Sequence, residues 1–172
     1  MSRGTRSNSV SARTVVAGVW GILSSMTLAT PFLAAHGYSL AAGGIYFFFS
    51  CLCHQLPDRT FTIFDFPLAV CHRCCGIYWG FFLGSFLPNG WIHRSPGVRR
   101  NWTIAAVSML VFDALAPYFG LWANTWHTRL LTGMAFGIVA CSLLLQGIRE
   151  FITETPWRRL APRESRLQGG IS

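Results

Sequence analysis

An all-α fold is expected for this sequence: a polytopic transmembrane helical bundle of four spans plus one short apolar segment, re-entrant or a fifth span. Three observations predict it. The 172 residues are 52% hydrophobic and only 12% charged, well under the usual quarter charged of a soluble domain. Four nearly uncharged runs, at 15–35, 66–87, 102–122 and 130–148, are each near the ~20 residues that cross a bilayer core. Of the basic residues, fourteen arginines and no lysine giving a net charge of +8, eleven fall in the flanks of those runs.

Taken in order, residues 1–14 form a basic cytoplasmic N-terminus containing Arg3, Arg6 and Arg13. The run that follows resembles the apolar part of a signal peptide. It is long and ends in Leu33-Ala34-Ala35 without a clean small-x-small site, so an uncleaved anchor is expected. Residues 39–53 are apolar but only as long as a re-entrant or interfacial segment. A transmembrane domain spans 15–148 and carries a Cys/His-rich outer loop at 53–75. The basic tail at 149–172, with Pro156, Pro162, Gly169 and Gly170 among arginines, lacks apolar periodicity and is expected on the membrane surface or disordered.

Arginine placement sets the orientation. If 39–53 does not cross, the N-terminus, the 88–101 loop with Arg94, Arg99 and Arg100, and the tail with Arg149, Arg158, Arg159, Arg163 and Arg166 all share the cytoplasmic side. If it does cross, three of these eleven arginines lie outside. Either way the segment at 53–68 is extracytoplasmic, in the oxidising compartment. The protein is thus expected in the cell membrane, multi-pass, with a cytoplasmic C-terminus. Juxtamembrane placement explains the positive charge without nucleic acid and makes the bilayer, with its anionic headgroups, the first partner.

Within the spans, Gly76, Gly80 and Gly84 recur every four residues, a smooth stripe on which another helix can approach closely, and Gly133 and Gly137 do likewise. Pro31 and Pro117 sit near helix ends. Trp91, Trp102, Trp122 and Trp126 fall at the expected interfaces as belt residues. A bundle this small would need to homo-oligomerise to form a transport path.

The chemistry is concentrated between Cys51 and Cys75, where CLCHQLPDRTFTIFDFPLAVCHRCC holds five of the six cysteines and two of the five histidines. Cys53 and His54, followed after sixteen residues by Cys71-x-x-Cys74, offer three thiolates and an imidazole. That is a tetrahedral set suited to zinc, although His72 or Cys75 could substitute and soft thiolates also accept iron or copper(I). Such a metal could be structural, clamping loop to helix, or reactive. Cys51 and Cys141 lie in apolar runs and read as inert core thiols.

Charged groups are expensive inside a membrane and mark sites by default. Asp113 lies near the middle of its run, towards the outer face, where Arg59, Arg73 and Arg129 can meet it. These four form a candidate vestibule beside the cysteines, open to an anionic lipid headgroup or a small substrate. A purely structural Asp113–Arg pair is the alternative.

A redox reading uses the same residues. Cys71-His72-Arg73-Cys74 puts a CxxC at a helix start, where the dipole and the neighbouring cations favour thiolate. With Cys51 and Cys53 as a second pair, electrons could pass by thiol–disulfide exchange to a quinone in the bilayer. The arrangement is similar to that of vitamin K epoxide reductase and the bacterial quinone-linked disulfide-forming membrane proteins. A small structural or assembly subunit is the third reading.

The ordered set Cys53-His54-Gln55-x-Pro57-x-Arg59-Thr60-Phe61, Cys71-x-Arg73-Cys74-x-Gly76-Ile77-Tyr78-x-Gly80, Asp113 and Arg129-Leu130-x-Thr132-Gly133 resembles an uncharacterised prokaryotic membrane family, domain of unknown function 2085. The resemblance runs from about residue 46 to 137. It implies that these motifs are the marks of the family, with three cysteines and one histidine suiting a metal better than two complete disulfides. Thr60, His72, Cys75 and Ala114 depart from the pattern, which leaves the ligand set open, and the first span lies outside it.

Overall fold

The computed structural model describes residues 3–87, 95–121 and 123–154, with side chains over 12–87, 95–121 and 123–151. Five α-helices stand among these residues: α1 (Arg3–Ala35), α2 (Ser39–Ser50), α3 (His72–Phe86), α4 (Pro96–Leu115) and α5 (Trp126–Glu154). Between α2 and α3 lie a 3-10 turn at Pro57–Arg59 and a hairpin of β1 (Thr62–Ile63) and β2 (Phe66–Pro67). Trp91, Trp122, Arg94 and the tail from 155 onward lie outside the described residues, as do the side chains of Arg3 and Arg6.

Helix ends follow local chemistry. α1 closes where Gly37 adopts φ +83, which is open to glycine at no steric cost. The amides of Gly37 and Tyr38 then satisfy the carbonyls of Ala34 (3.2 Å) and Leu33 (2.9 Å), the double bond of a left-handed C-cap. α4 starts on Ser95, whose Oγ accepts from the Val98 amide at 3.3 Å, with Pro96 at the first position, as capping preferences require.

α3 and α5 are the central pair. Gly76 sits against Leu130 and Met134, Gly80 against Met134 and Gly137, and Gly84 against Ile138 and Cys141, so numbers rise together and the two helices run parallel. The glycine stripe is therefore a helix–helix seam, with glycine on both sides of it.

α1 runs antiparallel to α3. Arg13 Nη2 donates to the Leu87 carbonyl at one end (2.6 Å), Trp20 stacks on Phe81 (4.1 Å), and Phe32 meets Phe64 of the hairpin turn at the other end (5.3 Å). α4 runs antiparallel to α5, with Ala106 against Val139 and Asp113 against Thr132. All the cysteines of the 51–75 segment thus collect at one end of the bundle. Arg13, Leu87 and the start of α4, with Arg99 and Arg100, collect at the other.

The expectation of four full spans is corrected. Among the described residues, two helices are long and apolar enough to cross a bilayer: Ala12–Ala35 and Trp126–Phe151. The run at 66–87 is helical only from His72, and the 15 residues of α3 reach about 22 Å against a core of about 30 Å. α4 has 20 residues, but Arg99, Arg100 and Asp113 interrupt its apolar character. The apolar segment at 39–53 resolves into the 12-residue α2, about 18 Å long and too short to span.

Apolar side chains point outward along much of the bundle. Leu40 is 95% exposed and Phe47 75%, both on α2, which in water would be an aggregation surface. The main buried apolar cluster, Phe49, Cys53, Leu68, Ala69, Val70, Cys75 and Tyr78, lies directly under the cysteine-bearing segment and holds it against the helices.

Candidate metal centre

Cys53 is placed by the end of α2. The Leu52 and Cys53 amides both donate to the Phe49 carbonyl (3.0 and 2.8 Å), and Phe49 is fully buried, so the chain leaves the helix from a fixed point. Gln55 then takes a left-handed backbone, φ +47, which is uncommon away from glycine. Its Nε2 donates to the carbonyls of Tyr46 and Ala69, both at 2.8 Å. Tyr46 adds an O–H donated to the Pro67 carbonyl at 2.5 Å. Together Gln55 and Tyr46 clamp the end of α2 to the strand that leads into Cys71.

The second segment arrives through the hairpin. Thr62 pairs with Pro67 and Ile63 with Phe66, antiparallel, around a two-residue turn in which Phe64 and Asp65 both have positive φ, 54° and 64°. That geometry matches the twist of a tight hairpin. Leu68, Ala69 and Val70 follow, buried and turning through a bend, and Cys71 caps α3 with φ −70° and ψ 164°. Cys74 comes one helical turn later.

These two segments bring three thiols together. The sulfurs of Cys53, Cys71 and Cys74 all lie within 4.8 Å of one another, and the Cys71 amide donates to Cys53 Sγ at 3.3 Å. Hydrogen bonds from the Cys53 and Cys74 thiols hold the Cys71 thiol well below the ordinary cysteine range, because a charged sulfur accepts them better than a neutral one. Such a cluster could hold a metal ion.

The other proposed ligands sit elsewhere. His54 is exposed and lines the cavity beside the thiols, but its nitrogens are not in the group that closes within 4.8 Å. His72 is buried with its ring edge-on to Phe61 at 4.2 Å. Cys75 belongs to the apolar cluster. Cys141 is the buried core thiol expected, whereas Cys51 is exposed at the end of α2, because the helix turns its face outward.

Beside the thiols lies a cavity of about 330 Å³ lined by Cys53, Cys71 and Cys74 together with Arg59, Arg73 and Arg129. A second, of about 370 Å³, shares the three arginines and continues past Tyr118 to Asn124 and Leu115. Asp113 lies beneath, 6% exposed. Its carboxylate accepts from Arg73 Nη2 in an ion pair and from the Thr132 hydroxyl at 3.4 Å. Asn124 Nδ2 donates to its backbone carbonyl. One aspartate therefore ties α4 to α3 and to α5. All four residues anticipated for the vestibule meet at this end.

Sequence reasoning missed the positioning role of Gln55, Tyr46 and the hairpin. The adjacency of Gln55 to Cys53 was the available signal, since a side chain that satisfies two carbonyls fixes the ligand beside it. If the three thiols bind a metal ion, replacing Gln55 by alanine is expected to weaken that binding by about 10-fold, the low end of the cost of losing an outer-shell hydrogen-bond partner. Competition against a chromophoric chelator checks it, with thiol titration confirming that all three cysteines persist.

Comparison with known proteins agrees with a membrane setting. A family model described as "Predicted membrane protein (DUF2085)" matches residues 53–143. An uncharacterized protein of Methanocaldococcus jannaschii is 29% identical over 120 residues, 63% of this chain and 70% of that protein. An uncharacterized protein of Methanothermobacter thermautotrophicus is 45% identical over 42 residues, 23% of this chain and 38% of that protein. No solved structure matches.

Proposed function

The chain belongs to the DUF2085 family of predicted membrane proteins, and from that premise we propose a multi-pass membrane protein whose extracytoplasmic end carries a zinc site formed by Cys53, Cys71 and Cys74. The observation that carries this reading is the convergence of three sulfurs within 4.8 Å from two separate chain segments. A set of sulfur ligands suits zinc.

Three thiolates around a divalent ion leave one negative charge and one open position. His54 lines the same cavity as the three thiols, and a water or an exogenous ligand there would complete the tetrahedron. Arg59, Arg73 and Arg129, lining the same cavity, offset the residual charge. The extracytoplasmic assignment is supported by the far end of the bundle, where Arg13, Arg99 and Arg100 gather as cytoplasmic flanks do.

Elemental analysis of detergent-purified protein tests the proposal. Wild type is expected to hold about one zinc per chain, as one such site binds a single ion, and Cys71→Ser and Cys74→Ser prepared identically almost none. Binding should weaken as pH falls, because each thiol must lose its proton to ligate. Metal-free wild type whose three thiols alkylate freely would overturn it and favour the thiol–disulfide alternative, in which Cys71 or Cys74 attacks and a quinone accepts the electrons.

A further inference from the structure

We infer that Arg59, Arg73 and Arg129 form a binding site for a phosphate group, presented on a lipid, independent of any metal at the thiols. The three guanidiniums come from three places in the chain: the 3-10 turn after α2, the first turn of α3 and the first turn of α5. They line both cavities at this end of the bundle.

The charge of this group is not balanced. Asp113 pairs with Arg73, and no carboxylate pairs with Arg59 or Arg129 among the described residues. Three cations against one carboxylate and one negative charge at the thiols leave the cluster positive, the sign that draws a phosphate oxyanion. Guanidinium forks suit its oxygens bidentately and are more weakly hydrated than ammonium groups.

Hydrogen-bonding capacity is also unspent. Arg73 Nε and Asn124 Oδ1 are buried without a partner among the described residues, although buried polar atoms are ordinarily satisfied. A phosphate oxygen accepts from the first, and a protonated phosphate or a water on it donates to the second.

The lipid source follows from the walls. The larger cavity passes from the arginines to Leu115 and Tyr118, both exposed, at 48% and 81%. Phe119 beside them is 73% exposed. This apolar wall continues into the outward faces of the bundle, where an acyl chain would lie. A free anion would use the arginines alone and leave that wall unused.

The test measures binding to full-length protein in a neutral detergent by isothermal titration and thermal shift. The probes are dioctanoyl phosphatidic acid, dioctanoyl phosphatidylcholine and inorganic phosphate. Phosphatidic acid is expected to bind at least tenfold tighter than either of the others. Arg59→Gln and Arg129→Gln should each weaken it tenfold or more while leaving the melting temperature of the unliganded protein within a few degrees of wild type. Arg59 is exposed on the loop, so its variant keeps the test informative even if Arg129→Gln folds poorly.

Inorganic phosphate binding as tightly as phosphatidic acid, with the same loss in Arg59→Gln, would keep the phosphate site and overturn its lipid source. Equal binding of phosphatidylcholine, no binding of either phosphate probe, or unchanged affinity in Arg59→Gln would overturn the site.

Discussion

Replacing Asp113 by alanine is expected to destabilise the bundle by about 3 kcal/mol, in the range measured when one partner of a buried ion pair is removed. The carboxylate is 6% exposed and holds Arg73 of α3 and Thr132 of α5 from a position on α4. Its loss leaves Arg73, only 26% exposed, uncompensated in a setting that solvates charge poorly. Thermal unfolding of the detergent-purified variant measures the effect. A double variant, Asp113→Ala with Arg73→Met, should recover much of it, because the charge left behind is then gone. A double variant no more stable than Asp113→Ala alone would place the cost in lost packing instead.

The second large effect is expected at the α3–α5 seam. A Cβ on Gly80 would meet the Met134 carbonyl oxygen and lie 3.0 Å from both Gly137 Cα and Met134 Cα. All of these are backbone, so nothing can rotate aside. Between helices in lipid the close approach itself supplies the attraction. Gly80→Val should therefore cost at least the 1 to 3 kcal/mol of ordinary overpacking, read as a lowered melting temperature and a loss of monodisperse protein. Gly84→Ala should be milder, because its nearest neighbour is the Cys141 Cβ at 3.0 Å. Gly43→Ala and Gly147→Ala, with nothing within 4 Å, should be neutral or stabilising, up to about 1 kcal/mol from helix propensity.

These two results rest on features legible in the sequence. A period of four puts Gly76, Gly80 and Gly84 on one helical face, whatever the fold, and a carboxylate in an apolar run must find a cation. The CxxC spacing likewise returns two sulfurs to one side of a helix turn, so Cys71 and Cys74 were readable as a pair, and Cys53 from the motif upstream.

The remainder was hidden for physical reasons. An apolar run does not say whether it is helical or extended, so residues 66–71 read as part of a span when the two-residue strand Phe66–Pro67 and the buried bend through Leu68, Ala69 and Val70 precede the helix. The hairpin turn uses Phe64-Asp65 rather than the usual Asn-Gly, and each of its strands has two residues, too few to show alternation. His54 looked as good a ligand as Cys53 because adjacent residues share a spacing. The left-handed bend at Gln55 follows directly after it, and only Cys53 of the two faces the other thiols.

The contact between Cys53 and Cys71 has a further consequence for the denatured chain. They stand eighteen positions apart, with the 3-10 turn and the hairpin as the intervening arc. Any bond through sulfur that joins them, by way of an ion or otherwise, closes a ring. By chain statistics, ring closure of about fifteen residues withholds some 3 kcal/mol of freedom from the unfolded ensemble. The hairpin, too short to persist alone, thereby becomes a lasso that need only be drawn once.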